Sequence, residues 1–235
     1  MCASLLITMF FIIPVRAGAP YLVVYTEFDY RPLLDKSPYG RLNLIVPISK
    51  LMDDGVSNYE WYFYEIRLQT VPGIVSYGSN WETAETYAKH IVYSAGSARW
   101  LVDYGPTTTS GETTVTVSVS AGGGPFGGPS AAFSTSWSYS VPYVKVLDYS
   151  DFMLHRAYWK HDFDEQWDPE GSPSDTTYYV KPSFVVRTKS DPGTQTPSLV
   201  DAWYKVTWAH QVLWWWTKKS FESPTLYLDT MRVRA

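Results

Sequence analysis

Cysteine is almost missing: the single one, Cys2, falls at the very start of the 235-residue chain. The rest has no disulfide framework and no thiolate metal site available to it. Glycine motifs of the Walker or dinucleotide type are also missing, so a nucleotide-dependent enzyme has no phosphate anchor here. Basic residues are in deficit, with 19 Lys and Arg against 23 Asp and Glu. That balance gives no argument for nucleic acid as a partner, because a phosphate backbone calls for a basic surface. The four histidines form no HExxH pair, and no nucleophile elbow appears. Beyond the N-terminus no run is apolar and long enough for a transmembrane helix. Charge is sparse throughout, and after Glu112 no residue carries any until Lys145.

The start, MCASLLITMFFIIPVRAGA, reads as a secretory signal over residues 1–19. Its apolar run from Leu5 to Val15 is short for a bilayer-spanning helix, and the small residues Ala17, Gly18 and Ala19 follow. Cleavage after Ala17 or after Ala19 fits. The alternative is a buried N-terminal strand. Removal of the signal leaves a chain without cysteine, expected to be secreted.

What the chain has in abundance is aromatic residues, 11 Trp and 19 Tyr among them, and alternation. The stretch 104–145 alternates most strictly. In its first arm, 113–121, Val115, Val117, Val119 and Ala121 take one face, against Thr114, Thr116, Ser118 and Ser120. In its second, 131–141, Phe133, Trp137, Tyr139 and Val141 share a face, opposed by Ser134, Ser136, Ser138 and Ser140. A period of two is the strand period, and the Gly/Pro-rich tip 122–129, with Phe126 in it, turns the chain back.

Elsewhere the pattern predicts strands over 21–28, 42–46, 58–70, 98–104, 154–163, 176–188, 199–216 and 225–233, broken by Pro, Gly and Asp-rich turns. Pro182 inside one of them implies an edge or a bulge. One helix is expected over 80–90, where Asn80 is placed to cap and Trp81, Ala84, Ala88 and Ile91 fall near helical spacing. Many strands and few helices predict an all-β fold, a β-sandwich carrying a long amphipathic β-hairpin.

An uncharged hairpin has three uses: a β-arm packed on the sandwich, an arm paired with a neighbouring subunit, or a hairpin that enters a membrane. Tilted strands of about 9–11 residues cross the hydrocarbon core, and both arms reach that length. Apolar positions on one face and Ser/Thr on the other suit lipid outside and a watery lumen inside. One hairpin leaves two unpaired edges, so the membrane reading demands a closed ring of several chains. Thr107, Thr108, Thr109, Ser110 and Gly111 then form the hinge on which the arm swings.

The order of motifs resembles the leukocidin/haemolysin family of β-barrel pore-forming toxins. Asp103-Tyr104-Gly105-Pro106 looks like the element that precedes that family's stem, and the alternating hairpin follows it. Residues 139–146, with Pro142, look like the segment leaving the stem. Gln166-Trp167-Asp168-Pro169 looks like the family's Asn-Trp-Gly-Pro in the membrane-facing rim, and residues 184–189 like the strand ending in Lys-Thr-Arg. The resemblance implies a stem over 106–141, with Val115, Val117, Val119, Phe126, Phe133, Trp137, Tyr139 and Val141 entering the membrane. It places two sandwich segments, 20–105 and 142–235, around that stem, and a rim at about 160–200. It implies a lipid head-group site at Trp167 and Arg187, with choline among the head groups, and a homo-oligomeric ring, alone or with a second related chain.

The resemblance also implies a membrane-acting protein rather than an enzyme, with no cofactor or metal. Two other readings stay open: a secreted structural or adhesion protein pairing its hairpin with neighbours, and a carbohydrate-binding module using exposed Trp. Asp148 and Asp151 are the carboxylate pair an enzyme reading would use. His161, Asp162, Asp164, Glu165 and Asp168 form an acidic cluster whose spacing fits a solvated turn better than a defined calcium loop. The Trp-rich C-terminal stretch is expected to fill core and rim, or to form an interfacial aromatic belt. If Trp214, Trp215 and Trp216 lie in one strand, they cannot all point inward.

Overall fold

A computed structural model describes residues 21–52, 58–93, 98–110, 113–120, 132–139, 144–163, 175–189 and 199–229. The signal segment 1–19, Gly111, Phe126, Val141 and Trp167 lie outside the described residues.

The chain opens with a long antiparallel pair, β1 (Tyr21–Lys36) and β2 (Gly40–Met52). The sequence pattern expects a break at Pro32. Instead β1 runs on to Lys36 and takes Pro32 within a register shift between Tyr30 and Leu34. An edge strand tolerates a residue that cannot donate to the ladder. Next come β3 (Tyr59–Glu65) and β4 (Arg67–Pro72), successive halves of one strand line separated at Ile66. The Ile66 amide is satisfied by the carbonyl of Pro182 across the sheet, at 2.9 Å.

After β4 a single helical turn, α1 (Gly73–Tyr77), is the one helix among the described residues. The helix expected over 80–90 is strand β5 (Glu82–Val92). Ala84, Thr86, Ala88, His90 and Val92 are buried and the residues between them are less so, a period of two set by packing. The helical spacing of Trp81, Ala84, Ala88 and Ile91 was a coincidence of composition.

Then follow β6 (Arg99–Gly105), β7 (Thr109–Ser110), the hairpin strands β8 (Thr113–Ser120) and β9 (Ala132–Tyr139), β10 (Lys145–Asp148) and β11 (Arg156–Asp162). The strand expected over 176–188 is split at Lys181 and Pro182 into β12 (Tyr178–Val180) and β13 (Ser183–Lys189). The last long stretch is also two strands, β14 (Leu199–Val212) and β15 (Trp215–Glu222), joined by a tight turn at Leu213 and Trp214; β16 (Leu226–Asp229) closes the described chain.

Two antiparallel sheets stack. The first runs β1, β2, the β3/β4 line, the β13/β12 line and β6. The second runs from β15 and β16 through β14, β5, β11 and β10 to β7. The core between them is aromatic. Tyr64 stacks on Phe184, centroids 4.7 Å apart, and His90 lies 4.9 Å from Phe184 and 2.9 Å from the Tyr204 hydroxyl. Trp159 is fully buried and its indole N–H donates to the Pro106 carbonyl at 2.7 Å. That bond fastens the crossing from β6 in the first sheet to β7 in the second.

Candidate functional site

The hairpin carries the strictest alternation in the sequence. β8 and β9 form an antiparallel two-stranded sheet of their own. Its register places Val115 opposite Trp137, Val119 opposite Phe133 and Thr113 opposite Tyr139. The intervening pairs are Thr114–Ser138, Thr116–Ser136 and Ser118–Ser134. Directly opposed residues occupy the same face of a ladder. The register therefore collects Val115, Val117, Val119, Phe133, Trp137 and Tyr139 on one face, together with Thr113 and Thr135, and mainly Thr and Ser positions on the other. A slip of one residue would mix the two sets.

The roots of the hairpin are held. Thr109 pairs with Val146 and Ser110 with Lys145, so two of the five residues of the expected hinge are in a ladder. The Asp148 amide donates to Thr108 Oγ1 at 3.0 Å. Thr107 and Thr108 are exposed. β8 runs close to β6 and β13. In this state the hairpin lies against the body.

One cross-row of the second sheet shows where the hairpin starts. Ser110 is in register with Lys145, Lys145 with Asp162, Asp162 with Glu85, Glu85 with Thr207 and Thr207 with Ser220. Following the chain outward from this row, both hairpin roots, the end of β11, the α1–β5 link and the β14–β15 turn all leave at one end of the sandwich. Lys160 reaches both Glu85 (2.8 Å) and Asp162 (2.9 Å). Burial works against the Glu85 carboxylate, but hydrogen bonds from Lys160 and Tyr87 outweigh it and hold its pKa below the usual value. Burial also opposes the Lys160 ammonium, and its two carboxylates more than restore it.

At that end the β14–β15 hairpin overshoots its neighbour. β5 pairs no further than Ala209 with Glu82, leaving His210 to Val212 paired on one side only. The turn beyond presents Leu213, Trp214 and Trp215, respectively 80%, 88% and 76% exposed. Leu213 has φ of +58°, a left-handed conformation that costs an ordinary residue about 1–2 kcal/mol and glycine little. Helix α1 precedes the link to β5, which leaves at the same end. Its Ile74 amide donates to the Trp81 carbonyl at 3.0 Å, and the Trp81 ring lies 5.4 Å from His210. Ile74 (40%) and Val75 (56%) are exposed as well. The sequence pattern missed this tip, because no Gly, Asn or Pro marks the turn. The signal available was the run of three tryptophans.

Arg187 lies elsewhere. Its guanidinium carbon is 4.6 Å from the ring centre of Trp100, 4.7 Å from that of Tyr59 and 5.7 Å from that of Trp61. The register brings these rings together, because Arg187 pairs with Trp61 on one side and Trp100 on the other. Burial pulls the guanidinium below its usual pKa, and Tyr59 acts in the opposite sense. Among the described residues flanking Trp167, Phe163 stacks on Tyr178, and Tyr178 pairs with Thr70, which pairs with Leu42. Trp61 is one step beyond the Lys50–Tyr62 pair. Arg187 and the Phe163–Tyr178 stack are thus roughly 25–30 Å apart along the strands.

The carboxylate groupings are accounted for locally. Asp148 accepts from the Ser150 amide, and Asp151 from the amides of Met153 and Leu154. Both serve turns. His161 is buried in the sandwich while its neighbour Asp162 faces outward to Lys160. Asp164, Glu165 and Asp168 lie outside the described residues. On the outer face of the second sheet a depression of about 300 Å³ is lined by Lys89, Ile91, Tyr158, Asp201, Trp203 and Thr225.

No family model and no curated protein matches this sequence. Among solved structures, the chain is similar to Clostridium perfringens delta-toxin, with a TM-score of 0.52 at 14% identity over 90% of this chain and 92% of that one. A pore forming protein gives a TM-score of 0.45 at 9% identity, over 89% of each chain. Clostridium perfringens NetB toxin in its membrane inserted form gives 0.38 at 6%, over 89% of this chain and 94% of that one. At such identities the likeness to delta-toxin is one of fold. The resemblance to leukocidin/haemolysin-like toxins read from the motif order is thus met by a shared β-sandwich architecture.

Proposed function

We propose that this chain is a secreted pore-forming protein that binds a membrane, assembles into a ring and inserts 107–141 as two strands of a shared barrel. The register of β8 on β9 supports this reading: all the Val and aromatic positions share one face, with Thr113 and Thr135 among them, the other face holds Thr and Ser apart from Ala132, and neither strand carries a charge. A soluble arm of this length normally carries Lys or Glu on its wet face. In a bilayer the same division becomes useful, with the Val/Phe/Trp/Tyr face toward lipid and the Ser/Thr face toward water. The toxin named as a fold neighbour agrees with the reading.

Energetics require the ring. An unpaired backbone group in hydrocarbon costs several kcal/mol, and a lone hairpin exposes two edges of them. Neighbouring hairpins close those edges. Before that, the arm stays on the body through its contact with β6 and through the pairs Thr109–Val146 and Ser110–Lys145. Insertion exchanges that packing for burial in lipid and for ladder bonds to adjacent chains. The bilayer lipid is the partner; choline head groups and a second related chain type are narrower options within it.

The test is release of a dye trapped in lipid vesicles by the chain without residues 1–19. Leakage with ring-shaped particles by electron microscopy supports the proposal. Absence of leakage over several lipid compositions sinks it. The depression beside Trp203 favours a second reading, glycan binding on the outer face of the second sheet. Binding to immobilised glycans without leakage would put that reading first.

A further inference from the structure

The hairpin roots form a narrow edge of the second sheet. β7 has two residues and β10 four, and in the ladder Val146 alone stands between Thr109 of β7 and His161 of β11. We propose that His161 is an acid trigger for the arm: it is sealed beneath the β7–β10 edge while the hairpin lies on the body, and it takes up a proton when that edge opens. The inference rests on the pore-forming reading and adds to it the condition under which the hairpin moves.

The placement of His161 carries the argument. It is completely buried, and neither ring nitrogen makes a well-aligned hydrogen bond among the described residues. A charge there would lack the partners that a buried ion needs. Its neighbours across the ladder are Val146 on one side and Thr86 on the other, and the Thr86 hydroxyl is itself buried without a partner. His90, the other fully buried histidine, is placed differently. Its Nε2 is 2.9 Å from the Tyr204 hydroxyl, and its strand β5 lies between β11 and β14 in the middle of the sheet. Water reaches His90 only when the sandwich comes apart. Detaching β7 and β10 is enough to make β11 a border strand. Short edge elements with few ladder bonds open at the lowest free energies in a fold.

The charges around His161 face elsewhere, with one exception. Lys145, Lys160, Asp162 and Glu85 occupy the outer face of β10, β11 and β5, where Lys160 holds both acids. The exception is Asp148, two residues past Val146, which is in register with inward Trp159 and bonds to Tyr104 of β6. The first sheet reaches this region through the bond from Trp159 to the Pro106 carbonyl. Its ionisable groups there are Asp103, Tyr104, Glu65, Arg67 and Lys181. Of these, Glu65 and Arg67 pair with each other at 2.9 Å, and Asp103 holds the Tyr104 amide. The buried cations Lys50 and Arg99 belong to the Arg187 end. β8 and β9 carry no charge.

The direction of the effect follows from burial. With the edge closed, burial holds the imidazole neutral and lowers its pKa to about 3, and the Thr86 backbone opposes this only in part. With the edge open, the ring is in water and titrates at about 6.5. The open form then binds more protons, so acid favours it. One histidine with these two values raises the open population about tenfold between pH 7.4 and 5.5 and leaves it nearly flat above pH 6.5.

The experiment is hydrogen exchange of the lipid-free chain without residues 1–19 at about pH 7.4, 6.5 and 5.5, corrected for the intrinsic exchange rate at each. Dye release from phosphatidylcholine vesicles is followed beside it. Amides of β10 are expected to be less protected than those of β14 at every pH, and their protection to fall about tenfold from pH 7.4 to 5.5. His161→Gln and His161→Phe are expected to hold that change below about twofold, while His90→Gln keeps it. A parent without the fall overturns the inference, and so does a tenfold fall retained in the His161 variants. Equal protection of β10 and β14 also overturns it, because the edge would then open only with the whole sandwich. If neither His161 variant folds, the parent profile decides: a fall confined below about pH 4 overturns the inference, and one that begins near 6.5 supports it. Acid opening of β10 without dye release at any pH keeps the trigger and removes the pore-forming reading. Dye release at equal rates at pH 7.4 and 5.5 keeps that reading and removes the trigger.

Discussion

The Trp81 ring stands 5.4 Å from the ring of His210, in the part of β14 that runs on beyond its last pair with β5. The same Trp81 meets Tyr39 edge-on at 4.6 Å. The Trp81 ring thus joins the β1–β2 turn to the β14–β15 hairpin, while its backbone carbonyl accepts from the Ile74 amide of α1. Trp81→Ala is expected to destabilise the fold by about 2–3 kcal/mol, below the loss for a fully buried Trp. The midpoint of urea unfolding checks this; an unchanged midpoint would show that the Trp81 ring contacts add nothing to the fold.

Gly40 is the second position where that end of the molecule is sensitive. Its φ is +155°, and an added Cβ would lie 2.5 Å from the Trp208 indole and 2.6 Å from the Val71 carbonyl oxygen. Neither neighbour has room to retreat, since Trp208 is fully buried and Val71 is in the ladder with Arg41. Gly40→Ala is expected to cost about 2–3 kcal/mol through overpacking. A drop in the urea midpoint at unchanged slope is the readout.

Acid should loosen the sandwich. His90 and His161 are completely buried, and burial lowers the pKa of each to about 3. The unfolded chain takes up protons at these positions near pH 6.5, while the folded chain resists until about pH 3. Their stability contribution is therefore whole above pH 6.5 and is lost as pH falls below it. With both histidines neutral in the fold, the slope approaches about 2.7 kcal/mol per pH unit between pH 6 and 4. Urea midpoints measured at pH 7.5, 6 and 5 check this; a flat profile would mean that the histidines are protonated in the fold.

Arg187 sits among Trp100, Tyr59 and Trp61, a set of three rings at the end of the sheet away from the hairpin roots. Replacing it by Lys keeps the charge but loses the planar stacking on the rings. Arg187→Lys is expected to cost about 1 kcal/mol of stability, in line with a partly desolvated cation–π contact. Unchanged binding to phosphatidylcholine vesicles would make its role structural. Lost binding at full stability would return it to the head-group site that the motif resemblance implies.

The hairpin was legible because its evidence is local. Strict alternation from Thr113 to Tyr139 needs no tertiary knowledge, and the antiparallel pairing follows from the Gly/Pro-rich segment between the arms. β5 was not legible. Trp81, Ala84, Ala88 and Ile91 fit a helix as well as a strand, and only the flanking strands β11 and β14 decide which face is buried. The β14–β15 turn escaped for another reason: Leu213 adopts a backbone usually announced by glycine. The three rings around Arg187 come from β3 and β6, so no spacing within one segment could show them. Trp167, read with Arg187 as one site, lies outside the described residues.

If the chain forms pores as proposed, the hairpin must leave the body to enter the membrane. The chain without residues 1–19 has no cysteine, so an introduced pair joining β8 to β6 would be its only disulfide. The measurement is dye release from phosphatidylcholine vesicles by this tethered protein, before and after reduction. Vesicle binding without release is expected while the disulfide is intact, and release at the parent rate once it is reduced. Release at the parent rate with the disulfide intact would contradict it.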